Sequence, residues 1–115
     1  YAVAQKFTAF ICCSDYYAVT LMKYLKAKGI RFPEDLSITG FDDNLYAQLA
    51  CPSLTTIHQD IFQRGTIAME YLFKMIDGWN PKTTNLSLPV RLVVRDSVKL
   101  LNPPEEDSSD DSSAL

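Results

Sequence analysis

The sequence predicts an α/β protein built on a parallel sheet. Two short apolar runs, "FTAFICC" (Phe7 to Cys13) and "LSITGF" (Leu36 to Phe41), are bounded by polar residues, the pattern of strands buried on both faces. Between them Ala18, Leu21, Met22 and Leu25 recur at i, i+3, i+4 and i+7, which is one face of a helix. Strand, helix, turn and strand make a βαβ unit, whose strands run parallel with a right-handed crossover.

The elements follow in order. Ser14 or Asp15 suits the N-cap of the first helix, Lys26 and Lys28 suit its C-terminal dipole, and Gly29 suits the residue beyond its end. "IRFPED" is a turn built on Pro33. "DNLYAQLA" is a short helix capped by Asp43 or Asn44 and stopped before Pro52. "SLTTIHQ" is a strand rich in β-branched residues. "DIFQRGTIAMEYLFKMIDG" is the strongest helix, with an apolar stripe through Ile61, Gly65, Ala68, Met69, Leu72 and Ile76. Asp60 and Gln63 resemble a capping box, and Gly78 ends the helix. "WNPKTT" is a loop. Pro89 cannot donate to a ladder, so it splits the next run into strands at Leu86 to Leu88 and Val90 to Arg95. From Asn102 the chain reads "NPPEEDSSDDSSAL", an acidic tail with almost nothing to bury, expected to be disordered.

Composition bounds the function. A chain of 115 residues, 47% hydrophobic, is about one small domain. A net charge of −3 gives no footprint for nucleic acid in this segment. No apolar run approaches the ~18 residues of a membrane span. The first residues lack a basic leader and a cleavage site, so no signal peptide is read. The chain also begins without methionine and reads as a cut or processed piece of a longer protein. Cys12, Cys13 and Cys51 are odd in number and lack framework spacing, which suits reduced thiols in a cytosolic protein.

The chemistry-bearing residues are carboxylates at strand ends. Ligands of open parallel sheets bind beyond the carboxyl ends of strands. Asp15 follows the first strand, and Asp42 and Asp43 follow the second, so three carboxylates can face one cleft. The plainer reading is that Asp15 and Asp43 cap helices. A Mg²⁺ site of a phosphoryl-transfer or receiver-like domain would also use paired aspartates, but no P-loop, no G-x-G-x-x-G and no strand-end lysine accompanies them. His58 is the one histidine, and no triad can be built on it. A neutral polyol fits better, because an ionised carboxylate can accept from two hydroxyls. Tyr16, Tyr17 and Phe41 lie near the carboxylates and could cover a sugar ring, although packing explains each of them alone.

The segments "TAFICCSDYYAVTLMKYLKAKGIRFPEDLSITGFDDN", "PSLTTIHQD" and "LPVRLVVRDSV", in this order and spacing, resemble the C-terminal part of the effector-binding core of the LacI/GalR repressor family. The likeness covers about residues 7–98. It implies part of a periplasmic-binding-protein-like (type I) core: two α/β subdomains with the effector between them. Residues 8–57 and 90–98 would belong to the C-terminal subdomain and 60–88 to the N-terminal one. "HQD" and Pro89 would be crossings between them, within a domain spanning residues 1–101.

The same resemblance implies a regulator without enzymatic activity, cofactor or metal, which senses a small molecule, commonly a sugar or a purine. It implies a homodimer that meets operator DNA only through a DNA-binding domain outside this sequence. Asp42 is expected to contact the effector. Asp15 and Ser14 follow the first strand, with serine where asparagine is more usual. Asp43 would brace or cap, and Gln59 stands at the crossing. Val19 and Met22 fall in the region of the dimer interface. A transport-type sugar-binding protein of the same core is the nearest alternative. Removing residues 102–115 is expected to leave the thermal midpoint unchanged; a clear drop in a melting curve would mean that the tail docks.

Overall fold

The computed structural model describes residues 7–82 and 85–101. The elements are β1 (Ala9–Ile11), α1 (Asp15–Lys26), β2 (Ser37–Thr39), α2 (Leu45–Leu49), β3 (Thr56–His58), α3 (Ile61–Ile76) and β4 (Arg91–Val93). The acidic tail, expected to be disordered, lies outside the described residues.

β1 and β2 pair in parallel, with Phe10 opposite Ile38. The βαβ unit is therefore present. Its pairing extends past the strand ends through Cys12 N donating to Thr39 O and Asp15 N to Phe41 O, each at 2.9 Å. β3 follows β2 in parallel through two isolated bridges, Thr39 with Thr55 and Asp42 with His58. β4 then adds to β3 antiparallel, with Ile57 opposite Leu92. Ser97 is fully buried and fills the gap between β2 and β3. Its hydroxyl donates to Ile38 O at 2.6 Å and accepts from Thr55 N at 2.9 Å. A side chain thus completes hydrogen bonds that the diverging backbones leave open.

The core comprises Ala18, Met22, Phe32, Leu36, Ile38, Ala47 and Leu54. It lies between the sheet and the helix pair α1 and α2. Ser14 caps α1, accepting from Tyr16 N at 3.2 Å, and Asn44 caps α2, accepting from Tyr46 N at 2.9 Å. Of the alternatives at each cap, Ser14 and Asn44 take the role, and the neighbouring aspartates do something else. Gly29 turns the chain out of α1 at φ +86°, a conformation that only glycine adopts readily.

Two expectations are corrected. β1 is not buried on both faces: Phe10 is half-buried and Ile11 is 88% exposed. The strand stands at the sheet edge, where only one face has a cover. Leu86 to Leu88 is not a strand, because no strand among the described residues pairs with it. α3 forms with Asp60 as its cap, accepting from Gln63 N at 2.8 Å, yet it has no buried residue. Its apolar stripe, including Ile61 and Ile76, faces open space.

Gly40 joins β2 to the carboxylates, and it is there for space. A Cβ at this position would collide with Asp15 Oδ1 and stand 2.8 Å from Leu54 Cδ2. Gly40→Ala must push both apart, which for a packed core costs about 1–3 kcal/mol. A lower urea midpoint is expected, and an unchanged midpoint would show that this corner is loosely packed.

Candidate functional site

The three strand-end carboxylates are brought together by the ladder between β1 and β2, and then diverge in role. Asp15 turns inward and is fully buried. Its Oδ1 accepts from Thr56 Oγ1 at 2.5 Å, and its Oδ2 accepts from Asn44 N at 2.8 Å. This corrects the expectation that Asp15 faces a ligand: both oxygens are already engaged, and no surface reaches them. The residue ties α1, β3 and the start of α2 to one point.

Asp43 is a brace as well. Its Oδ1 accepts from Arg95 Nη2 at 2.5 Å and its Oδ2 meets His58 Nδ1 at 2.9 Å. An ionised carboxylate only accepts, so the imidazole presents its Nδ1 proton. Arg95 also donates through Nη1 to Leu54 O at 2.9 Å. The Asp43 side chain is 8% exposed. Burial alone would raise its pKa, but the hydrogen bonds from Arg95 and His58 hold the carboxyl below its ordinary value.

Asp42 differs from both. It is half-exposed. Its Oδ1 accepts from Gln59 Nε2 at 2.5 Å, while Oδ2 takes no hydrogen bond from the described residues. Gln59 Oε1 in turn accepts from Arg64 Nη1 at 2.5 Å. The amide of Gln59 thus stands between a carboxylate from the end of β2 and a guanidinium from the first turns of α3. Gln59, Gln63, Arg64, Leu86, Leu88 and Pro89 help line a pocket of about 310 Å³, at the small end of ligand sites, which run ~300–1,000 Å³. Asp42 is one hydrogen bond behind this lining.

The backbone here is held in an unusual state. Asp42 has φ +108° and Asp43 φ +57°. Positive φ at non-glycine residues costs on the order of 1–3 kcal/mol each and persists only where the surroundings over-determine it. Here they do: Asp42 N donates to Ile57 O at 2.9 Å, Asp43 is clamped by two side chains, and Asn44 N is held by Asp15. The result aims one carboxylate outward and the next inward.

Ser14 is half-buried, and its hydroxyl oxygen accepts in the cap of α1. The proton of that hydroxyl remains available to an acceptor. Val19 is half-buried and lines a groove of about 370 Å³ with Lys23, Lys26 and Leu49. Met22, expected beside it at a dimer interface, is 2% exposed and belongs to the core. It reaches the groove only as its floor, because the i, i+4 pair Ala18 and Met22 faces the sheet. Among the described residues no three metal-binding side chains converge. Arg64 and Arg95 were not singled out by the sequence. Arg95 could have been suspected from a charge ending a strand beside buried residues. Arg64 lies on a surface helix, where nothing local distinguishes it.

Asp43 also makes stability depend on pH. Its folded pKa lies below the unfolded value of about 3.9. Its contribution is therefore complete above that value and is lost as pH falls through the lower folded value. Asp43→Asn is expected to cost about 1.5–3 kcal/mol at pH 7. The gap between variant and parent should close on acidification below about pH 4. A gap that stays constant to pH 2 in urea titrations would mean that Asp43 is not ionised in the fold.

Comparisons with known proteins bear on the family and the fold. The family model of the periplasmic binding protein-like domain matches residues 2–98. The chain is 37% identical over 92 residues to the HTH-type transcriptional repressor PurR of Pasteurella multocida, covering 80% of this chain and 28% of that protein. It is 38% identical over 91 residues to the ribose operon repressor of Haemophilus influenzae, covering 79% of this chain and 27% of that protein. A solved transcriptional regulator, the CelR–cellobiose complex, superposes with a TM-score of 0.76 at 31% identity, covering 82% of this chain and 29% of that one. The chain spans under a third of the length of these relatives. On the family model and these likenesses together, the chain belongs to the periplasmic-binding-protein-like domain family, in the branch of the LacI/GalR-type regulators.

Proposed function

We propose that this chain is part of the effector-sensing core of a LacI/GalR-type transcriptional regulator, and that its effector is a sugar or sugar derivative. The observation that carries the reading is the Asp42–Gln59–Arg64 chain of hydrogen bonds beside a pocket. A half-exposed carboxylate held at positive φ, with one oxygen open, is suited to take a ligand hydroxyl. The solved regulator with cellobiose supports a sugar. The likeness to a repressor named PurR favours one second reading, a nucleobase whose ring N–H donates to Asp42 in the same way.

In this reading Ser14 and Gln59 assist Asp42, and Asp15 and Asp43 hold the frame. The protein acts by binding and carries out no reaction. It works in the cytoplasm as a homodimer, through the face around Val19, and meets operator DNA through a separate domain. The Mg²⁺ alternative is disfavoured because Asp15, Asp42 and Asp43 point to three different partners. No helix among the described residues is long and apolar enough to cross a membrane.

Calorimetry on the full-length regulator tests the reading, with a sugar panel and a purine panel. Asp42→Ala should remove a charge-assisted hydrogen bond worth roughly 1.5–3 kcal/mol, about ten- to a hundredfold in affinity, while the melting temperature stays close to the parent's. Unchanged affinity for the ligand that binds the parent would sink the assignment. Binding confined to the purine panel would replace the sugar by the nucleobase.

A further inference from the structure

We propose that Arg64 selects an effector bearing an oxyanion, a phosphate or carboxylate carried on a sugar-like frame. The inference rests on the effector-site reading of Asp42 and adds the charge of the ligand. Arg64 lines the pocket of about 310 Å³ beside Gln59, Gln63, Leu86 and Leu88. It also borders a second cavity of about 270 Å³ with Ile67, Tyr71 and the same two leucines. Its guanidinium is thus the polar group common to both spaces. Asp60 lines the first pocket too; its Oδ1 accepts from Gln63 N as the cap of α3, and its remaining negative charge directs an oxyanion to the Arg64 end of the pocket.

Among the described residues no carboxylate pairs with Arg64; the ion pairs present involve Arg31, His58 and Arg95. Among the described residues the one hydrogen-bond partner of the Arg64 side chain is the neutral amide oxygen of Gln59, which accepts from Nη1. A guanidinium carries five donors in a planar fork matched to carboxylate and phosphate. Arg64 is exposed, so among the described residues one neutral acceptor leaves most of that fork to water, which an oxyanion can displace. Gln59 keeps Arg64 from collapsing onto Asp42: the amide accepts from the cation and donates to the anion. The two charges therefore stay separate, and the wall is dipolar. A ligand with an anionic end and a hydroxyl-rich body matches both poles. A neutral sugar would use only one of them.

The test compares hexose 6-phosphates and hexuronates with their parent hexoses, using calorimetry on the full-length regulator. At least one anionic sugar is expected to bind ten times more tightly than its parent. Arg64→Gln should collapse that ratio towards one, and the preference of the parent protein should weaken as salt is raised. Phosphates and uronates are separate arms, so the preferred oxyanion is read directly. A neutral sugar binding as tightly as its anionic counterpart, a preference that survives in Arg64→Gln, or an anionic panel that does not bind would each overturn the inference. Asp42→Asn distinguishes the two readings. If it weakens sugar binding while Arg64→Gln leaves the preference intact, the effector site stands and the oxyanion does not. If it changes nothing for a sugar that binds, the site assignment itself fails.

Discussion

The rest of this structure depends on one buried carboxylate. Asp15 has no exposed surface, and its two oxygens are held by the Thr56 hydroxyl and the Asn44 amide. A buried charge without hydrogen bonds would be very costly. Here the cost is met by donors from two other elements, so those elements cannot move independently. Gly40 is a consequence: the carboxylate lies where its side chain would be. The glycine in "GFDD" is thus required by an aspartate twenty-five residues earlier in the chain. Strand β3, the start of α2 and the turn after β2 all take their positions from this contact.

That anchored corner makes the strained turn possible. Two consecutive aspartates with positive φ would not persist in an isolated loop. Asp43 is fixed by Arg95 and His58, which arrive from the segment just after β4 and from β3. With its neighbour clamped, Asp42 is left facing outward. The pair is therefore a division of labour. One carboxylate is neutralised inside the frame, so that the other can be presented without a second like charge competing for the same space.

The site spans two unlike parts of the molecule. The sheet with α1 and α2 has a small core, whereas α3 buries nothing and shows its apolar stripe to open space. The hydrogen bonds from Asp42 through Gln59 to Arg64 cross from the first part to the second. A ligand that engages both ends would draw them together, which is the physical basis on which a binding event can change the relation of two bodies.

Much of this was legible in the sequence, because the signals were local. Apolar runs and helical spacing set β1, α1, β2 and the parallel crossover, and the polar residues before each helix marked the caps within one position. The acidic pair announced a site for the same reason: two charges ending an apolar strand need partners. The sequence could not say which partners, since Thr56, Arg95 and His58 lie 41, 52 and 15 residues away from the aspartates they hold. Nor could it show that Leu86 to Leu88 would lack a ladder, because a strand exists only where another one pairs with it. Local chemistry determined which residues carry charge to the strand ends. Tertiary packing decided that Asp15 is buried and Asp43 clamped, which leaves Asp42 presented to solvent.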